Sequence, residues 1–345
     1  MFSRFRPDNF TLMIVGALIL GSVLPVQDQA AEWLGVFANG MIALLFFLHG
    51  ARIDRQTALA GLVHWRLHLV VFASTFVLFP ILGLAAGLLS PTLLTPALAA
   101  GVLFLCVLPS TVQSSIAFTS VAGGNVPAAI CSASASNILG MFITPLLVAV
   151  LLNSQGGHHD FDWAAVAKIL AQLLLPFAIG QLLQPRLGPW LTRHKPLTMV
   201  VDRGSILLIV YIAFSHAVVT GLWSRTPLPA LATMLVVDLV LLALVLSITT
   251  AASRLLGFSK EDEITIVFCG SKKSLASGVP MANVIFAGQD VGGILLPLML
   301  FHQVQLMACA ALARRYAERM QAALAAEEGP ARAGVTPSAA KLAAR

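Results

Sequence analysis

Charged residues are scarce in this sequence. Of its 345 residues, 10% are charged and 58% are hydrophobic, whereas soluble domains carry about 25% charged residues. A soluble protein of this composition would lack the charged residues that cover a surface in water, so the composition indicates a membrane protein. The basic residues are scattered between apolar segments and form no stripe with interleaved aromatic residues, which disfavours nucleic acid as a partner.

Motifs that bind metal ions or form disulfide networks are also missing. Cys106, Cys131, Cys269 and Cys309 all fall in apolar segments without CxxC spacing, which predicts neither a zinc site nor a disulfide network. His49, His216 and His302, which lie within apolar segments, form no HxxxH or HExxH motif, and no cluster of carboxylates accompanies them. We therefore predict no metal site of this kind and no cofactor, and we expect the cysteines to be small core residues.

Long apolar segments are abundant instead. Ten of them are long enough to cross about 30 Å of hydrocarbon. They cover residues 10–26, 33–51, 67–89, 96–119, 126–152, 163–184, 204–221, 228–253, 263–286 and 291–313. The basic start before the first segment is also typical of a signal peptide, but no convincing small-x-small cleavage site follows Pro25, so we predict an uncleaved first helix.

The basic residues outside these segments predict the orientation. If the N-terminus is cytoplasmic, they lie in cytoplasmic loops and in the two terminal segments; only Arg225, and Lys168 near the start of the sixth segment, fall on the other side. The positive-inside rule then places both termini in the cytoplasm, and the net charge of +6 needs no acidic partner. We expect a multi-pass protein of the inner (plasma) membrane with a cytoplasmic N-terminus (1–9) and a partly disordered cytoplasmic tail (314–345).

The two halves of the chain are weakly similar. The string "ILGSVLP" (19–25) resembles "AIGQLLQP" (178–185), and an offset of about 160 residues carries the serine-rich stretch at Ser114 onto the one at Ser274. Each half holds five predicted helices, so the second half must be inverted relative to the first, as in many secondary transporters. The predicted fold is all-α, with one five-helix repeat over 10–152 and another over 163–313.

Polar and helix-breaking residues interrupt the fourth apolar segment. Pro109 is followed by Ser110, Thr111, Gln113, Ser114, Ser115 and Thr119. A kink whose hydroxyls bond back to helix carbonyls would explain any one of them, but together they favour an unwound segment that lines a cavity. Asn137, in the fifth segment, is assigned to the same site because packing of small residues does not explain an amide there.

The matching interruption in the ninth segment contains two adjacent lysines. It consists of Gly270, Ser271, Lys272, Lys273, Ser274, Ser277, Gly278 and Pro280. A charge at the bilayer centre costs about 2.5–3.5 kcal/mol on insertion scales. Neighbouring residues on a regular helix differ in direction by about 100°, so one lysine would face the cavity and the other would meet a carboxylate or an unwound carbonyl. Asp238 is the predicted charge partner, and a purely structural lysine–aspartate pair is the alternative.

Two strings resemble the bile acid:sodium symporter superfamily, and most closely its SBF-like branch of sodium-dependent transporters. They are "PSTVQSSIAFTSVAGGNVPAAICSASASN" (109–137) and "FCGSKKSLASGVPMA" (268–282). The resemblance implies a core domain of helices 3–5 and 8–10 and a panel domain of helices 1, 2, 6 and 7. It also implies that helices 4 and 9 are broken and cross, and that an organic anion is transported with sodium by alternating access.

The lysines depart from the pattern of the symporters. Where that family has Glu-x-x-x-Gln, whose two residues serve the sodium sites, this sequence places Phe268 and Lys272, with Lys273 next to the crossing point. Sodium needs several oxygen ligands, and an ammonium in a similar place would repel it, so we do not expect sodium sites of the symporter kind. We hypothesise that a lysine replaces the cation and that the basic crossing point favours an anionic substrate.

The resulting prediction is a secondary active transporter for an organic anion or a related small solute, coupled to sodium or protons. Its partners would be that solute and the lipid bilayer. The predicted binding residues are Gln113, Ser114, Ser115, Thr119, Asn137, Ser271, Lys272, Lys273 and Ser274. One alternative, based on a calcium-linked relative, is a membrane regulator of ion homeostasis without classical symport. An intramembrane enzyme is disfavoured because Asp238 is the sole mid-span carboxylate.

Overall fold

Helices make up most of the part of the chain that the structure describes. The computed structural model describes residues 9–52, 64–88, 92–153, 163–221, 224, 226–289 and 291–333. No strand occurs within these ranges, which confirms the all-α prediction for them. The helices are α1 (Asn9–Val23), α2 (Asp28–Arg52), α3 (Trp65–Gly87), α4 (Pro96–Val107), α5 (Gln113–Val121), α6 (Val126–Asn153), α7 (Trp163–Arg193), α8 (Lys195–Val219), α9 (Leu228–Leu255), α10 (Lys260–Gly270), α11 (Leu275–Ile285) and α12 (Val291–Ala333).

Six of the described helices are individually long and apolar enough to cross a membrane, namely α2, α3, α6, α8, α9 and α12. Shorter apolar helices, Leu12–Val23 within α1 and Pro96–Val107, accompany them. Large apolar side chains on the outer faces remain exposed, among them Leu182 (74%) and Val200 (68%). Such faces are unfavourable in water and suit a lipid environment. The protein is a multi-pass membrane protein, as its composition predicts.

Most predicted segment boundaries lie within a few residues of the helix ends, but some do not. α7 continues past 184 through Pro185 and Pro189, and α8 begins at Lys195 rather than at 204. α12 continues past 313 to Ala333, through a stretch rich in alanine, glutamate and arginine, which are strong helix formers. The predictions for residues 1–8 and 334–345, including the disordered end of the tail, lie outside the described residues.

One group of helices consists of α1, α2, α7 and α8, which pack mainly on one another. The closest approach joins α2 to α7 through two glycines. A Cβ atom added at Gly50 would overlap the carbonyl oxygen of Phe177, and one added at Gly180 would overlap the carbonyl oxygen of Phe47. Only glycine permits this spacing, so the α2–α7 contact depends on both of them.

The second group consists of α3–α6 and α9–α12, and two of its helical paths are interrupted. α4 ends at Val107 and α5 begins at Gln113, while α10 ends at Gly270 and α11 begins at Leu275. Leu108 is extended (φ −71°, ψ 154°) because it precedes a proline, which disfavours the helical conformation. Both interruptions coincide with the polar stretches identified in the sequence.

Candidate functional site

The two helix breaks contact each other directly. We refer to residues 108–112 and 271–274 as the paired breaks. The backbone N–H of Ser274 donates a hydrogen bond to the carbonyl of Pro109 (2.9 Å). The hydroxyl of Ser110 donates to the carbonyl of Cys269, the next-to-last residue of α10 (2.6 Å). The paired breaks are therefore joined by hydrogen bonds that satisfy backbone groups left free by unwinding.

The ammonium group of Lys273 lies in a cage of backbone carbonyls. Its Nζ donates to the carbonyl oxygens of Thr75 (2.8 Å), Cys106 (2.8 Å) and Leu108 (2.7 Å). It also lies 4.0 Å from the centre of the Phe79 ring, within cation–π distance. The residue is fully buried (0% exposed). An ammonium has three donors, so these three carbonyls, which we call the carbonyl cage, use all of them.

Interrupted helices make the carbonyls of the cage available. Two of them lie at the end of α4, where the last carbonyls have no intrahelical partner because the chain becomes extended at Leu108. The third belongs to Thr75, in a π-helical turn of α3 where the N–H of Phe79 bonds to the carbonyl of Ser74. The next residue is Pro80, which has no N–H to give to Thr75. The end of α4 and the π-helical turn of α3 thus leave three acceptors for one lysine.

Lys272 is held differently. Its Nζ donates to the carbonyl oxygen of Ser114 (2.8 Å) and lies 3.9 Å and 5.2 Å from the ring centres of Phe118 and Phe268. The two lysines thus point to separate surroundings, although they lie in the break between α10 and α11 and not on a regular helix. The expectation that one of them faces an open cavity is not met here, because Lys272 and Lys273 are both fully buried.

Gln305 of α12 holds the backbone between the two halves of the ninth predicted span. Its Oε1 accepts a hydrogen bond from the N–H of Lys273 (2.9 Å), and its Nε2 donates to the carbonyl of the same residue (2.9 Å). The Nδ1 atom of His302 lies 2.9 Å from that Nε2 atom. Gln305 is not among the predicted binding residues. The one feature of the sequence that could have indicated it is an amide side chain within an apolar segment.

Asn137 of α6 bridges the two halves of the site. Its Nδ2 donates to the carbonyl of Ser110 (2.7 Å), and its Oδ1 accepts from the hydroxyl of Ser277 on α11 (2.7 Å). The neighbouring Ser136 hydroxyl accepts the N–H of Ser110 (3.1 Å). An amide suits this position because it offers a donor and an acceptor at once.

The serines at the start of α5 also reach the second break. The Ser115 hydroxyl donates to the carbonyl of Phe268 (3.1 Å). The Ser114 hydroxyl lies 2.7 Å from that of Thr111, which in turn lies 3.2 Å from the Ser115 hydroxyl. These hydroxyls form a connected polar group beside the carbonyl that binds Lys272.

Other predicted site residues have more local contacts. The Ser271 hydroxyl bonds back to the carbonyl of Val267 (2.6 Å), and the Ser274 hydroxyl accepts the N–H of Ser277 and so caps α11 (3.2 Å). Gln113 is exposed at the first position of α5. Thr119 lies near the other end of α5, and among the described residues its buried hydroxyl has no hydrogen-bond partner. The structure does not bring Thr119 to the paired breaks.

Asp238 does not pair with either lysine. Its side chain is fully buried on α9, and neither carboxylate oxygen has a hydrogen-bond partner in the part of the chain that the structure describes. Both ammonium groups bind backbone carbonyls instead, Lys273 those of the carbonyl cage and Lys272 that of Ser114. The lysine–aspartate pair expected from the sequence is therefore not formed in this structure.

An ion cluster joins α9, α10 and α12 away from the paired breaks. The buried carboxylate of Glu263 accepts hydrogen bonds from Lys260 (2.6 Å), from the Arg254 guanidinium (3.2 and 3.3 Å) and from the Tyr316 hydroxyl (3.1 Å). Three helices thus meet at one carboxylate.

An apolar cavity of about 410 Å³ lies between α6 and α7. Its lining residues are Phe142, Leu174, Phe177, Ala178, Gln181 and Leu182. Neither lysine of the paired breaks lines it. In this conformation the two ammonium groups are sealed from the surroundings, so solute access to them requires the breaks or the helices around them to move.

Comparison with known proteins places the chain in a family. A model of the SBF-like CPA transporter family matches residues 8–318. The chain is 57% identical over 333 residues to "Uncharacterized protein PA2026" of Pseudomonas aeruginosa, which covers 95% of this chain and 99% of the relative. It is 50% identical over 324 residues to "Putative symporter YfeH" of Escherichia coli, covering 94% and 97%. It is 29% identical over 270 residues to "Sodium/bile acid cotransporter 7" of Rattus norvegicus, covering 77% and 78%.

Proposed function

Because the chain belongs to the SBF-like CPA transporter family, a family of transporters rather than enzymes, we propose that it moves a small organic anion by alternating access as a secondary active transporter. The proposal includes ten membrane crossings, counted by joining α4 to α5 and α10 to α11. It also includes two inverted five-helix repeats, over 10–152 and 163–313, and both termini on the cytoplasmic side of the inner membrane.

The packing of the helices supports a division into two bodies. α1, α2, α7 and α8 would form the panel domain, and the remaining helices, which contain both breaks, would form the core domain. Transporters of this build move one body against the other around a site where helices are broken. A solute bound at the paired breaks would then be exposed to each side of the membrane in turn.

The carbonyl cage around Lys273 is the observation that carries the proposal. In secondary transporters, unwound backbone carbonyls coordinate the coupling cation. Here three such carbonyls bind an ammonium that belongs to the protein, at 2.7–2.8 Å. A sodium ion cannot occupy the cage while the ammonium is present, since both need the same oxygen atoms and repel each other. In this proposal Lys273 replaces a sodium ion.

The charge at the site favours an anionic solute. Both Lys272 and Lys273 are fully buried, and no described carboxylate forms an ion pair with either. The N-termini of α5 and α11 also start at the paired breaks, and a helix N-terminus carries a partial positive charge. Backbone carbonyls and aromatic rings compensate the two positive charges only in part. An anion that entered the site would compensate the remainder. The vertebrate relatives named sodium/bile acid cotransporters agree with an organic anion as solute.

A ligand screen on the purified full-length protein tests the proposal. Thermal stability is measured in sodium-free choline chloride buffer with a panel of organic anions and with neutral and cationic analogues. We expect an anion to stabilise the protein, and we expect the effect to be lost in Lys272→Gln or Lys273→Ala. The control is Arg319→Gln, which removes an exposed positive charge from α12 outside the site. Stabilisation by cations alone, or equal stabilisation in both lysine variants, would contradict the proposal.

A further inference from the structure

The two groups of helices touch each other at the end of the molecule where α8 and α11 end and α12 begins. α11 packs on α7 and α8, and α12 packs on α8. A Cβ atom added at Gly292 of α12 would lie 2.6 Å from the Cβ atom of Ala217 and 3.0 Å from the carbonyl oxygen of Ala213. The Nδ2 atom of Asn283 on α11 also lies 3.5 Å from the Oδ1 atom of Asn39 on α2. We call these five residues the outer contact, because the proposed orientation places them in the outer half of the membrane.

Gly292 permits this close approach because it has no side chain. Its neighbours Ala213 and Ala217 are 5% and 0% exposed. They meet it with a helix backbone and a Cβ atom, neither of which can rotate out of the way. Small residues allow membrane helices to approach each other in this manner. A larger side chain at position 292 would therefore force α12 and α8 apart, and with them the two groups of helices.

The two broken spans are covered differently. α5 packs on α6, α10 and α12, and α10 packs also on α3 and α9, all of which belong to the same group of helices. One face of α5 is exposed along Gln113, Ala117 and Val121, which are four residues apart and so share a face. α11 is buried or half-buried at every residue except Ala276. The panel helices α7 and α8 therefore cover α11, while this face of α5 lies open.

This asymmetry fits one of the two states that alternating access requires. In the proposed inverted repeats α5 and α11 are equivalent, so each would be covered in one state and open in the other. Packed interfaces switch between discrete arrangements and do not deform continuously. A contact that has no room for a side chain at Gly292 is either made or lost, which suits a gate.

We propose that the outer contact is the outer gate of the transporter and that Gly292 allows this gate to close. When the gate opens, α11 and α12 separate from α8, and the exposed face of α5 closes against the panel helices. The described conformation is the one with the outer gate closed. This assignment rests on the proposed function, because a gate requires two bodies that move against each other.

Cysteine labelling without any solute tests the gate. The full-length protein is placed in lipid nanodiscs, where a membrane-impermeant maleimide reaches both sides, and labelling above the wild-type level is measured. Ala117→Cys reports on the open face of α5, and Asn283→Cys reports on the outer contact. Each reporter is combined with Gly292→Leu, which would hold the contact open. The matched control is Gly16→Leu on α1, since a Cβ atom at Gly16 would have no neighbour within 4 Å among the described residues.

We expect the two reporters to respond to Gly292→Leu in opposite directions. The disfavoured state of a two-state protein is populated to about 10% or less, so labelling of Ala117→Cys should fall about tenfold. Labelling of Asn283→Cys should rise, and Gly16→Leu should change neither. Unchanged labelling of both reporters would overturn the gate. A rise in both would also overturn it, because that is the result of loosened packing without a change of state.

A smaller substitution replaces Gly292→Leu if that variant does not fold. In Gly292→Ala the added Cβ atom alone meets that of Ala217 at 2.6 Å, so we expect the same opposite responses with smaller amplitude. Labelling equal to that in Gly16→Ala would overturn the gate. Because no solute enters these measurements, the proposed function would stand in that case. The ligand screen tests the proposed function separately.

Discussion

Replacing Lys273 with alanine would remove the one cation of the carbonyl cage and leave its three carbonyls in place. Those oxygens lie 2.7–2.8 Å from the ammonium nitrogen in the wild type. They belong to helix ends and to a π-helical turn, so no backbone N–H of the same helix is positioned to replace the lysine. The variant would hold an empty, preformed set of oxygen ligands in the core domain.

Two large terms set the stability of this variant, and they oppose each other. An unpaired buried carbonyl costs about 1–3 kcal/mol, so three cost about 3–9 kcal/mol. Removing the ammonium returns its own desolvation cost, which is several kcal/mol for a buried ion. The net change in stability is therefore a small difference of large terms and does not show whether the empty cage can bind sodium. The change of the unfolding temperature with sodium concentration does show it.

A sodium ion that binds the empty cage would stabilise the variant by mass action. At a sodium concentration about ten times its dissociation constant, the gain is about 1.4 kcal/mol. We therefore expect the unfolding transition of Lys273→Ala to rise with sodium chloride but not with equal choline chloride. The wild type should respond equally to the two salts. Thermal unfolding of the purified protein in detergent measures the difference.

Lys272→Ala is the matched control, because it removes the neighbouring lysine but frees only the carbonyl of Ser114. One carbonyl is too few to bind sodium, so this variant should show no difference between the salts. A sodium-specific stabilisation of the wild type would refute the reasoning, since it would require a sodium site that Lys273 does not block. No sodium response in a folded Lys273→Ala protein would mean that the cage does not persist without its lysine.

Three further variants probe the rest of the site. Lys272→Met keeps the side-chain volume but removes the charge; it should weaken binding of the stabilising anion by about tenfold or more, read from the ligand dependence of the thermal shift. Asn137→Ala leaves the Ser110 carbonyl without this donor, while the Ser277 hydroxyl keeps its bond to the Ser274 hydroxyl (3.1 Å), so the loss should be about 1–3 kcal/mol; a loss below about 1 kcal/mol in denaturant unfolding would contradict the bridge. Glu263→Gln removes the carboxylate of the ion cluster, whose two cationic partners are 59% and 45% exposed, so the loss should be about 1 kcal/mol or less per pair and should shrink at high salt.

The positions of the helix breaks could be predicted from residue types. Pro109 removes a backbone donor and forces its predecessor into an extended conformation, and the observed break lies at Leu108 to Val112. In the second half, Gly270 and the run of polar residues after it predict the other break. Asn137 could also be assigned to the site, because an amide within small apolar residues needs hydrogen-bond partners.

The partners of the lysines could not be predicted in the same way. The sequence leaves a carboxylate and an unwound carbonyl open as acceptors, and the one partner residue it names is Asp238. The actual acceptors are backbone carbonyls, which exist at every residue and become available only where helix geometry frees them. The carbonyl of Thr75 is 198 positions from Lys273 along the chain, and its availability depends on a π-helical turn before Pro80. No local pattern encodes that pairing.

The sixth predicted segment, 163–184, ends before the helix does. Pro185 and Pro189 indicate a helix end, but α7 runs through both to Arg193. A proline removes one hydrogen bond and introduces a local clash, yet in a membrane protein neighbouring helices can stabilise the continued path. The close packing of α2 against α7 at Gly50 and Gly180 is tertiary information of this kind, which the sequence pattern around the prolines does not contain.

The most direct test of the central claim, that Lys273 replaces the coupling sodium ion, is transport without sodium. Liposomes containing the wild-type protein are prepared in choline buffer, and uptake is measured for the anion that the stability screen identifies. We expect uptake to persist when sodium is absent and to be unchanged when an inward sodium gradient is added. Uptake that depends strictly on an inward sodium gradient would contradict the account, because sodium coupling would then operate while the Lys273 ammonium occupies the carbonyl cage.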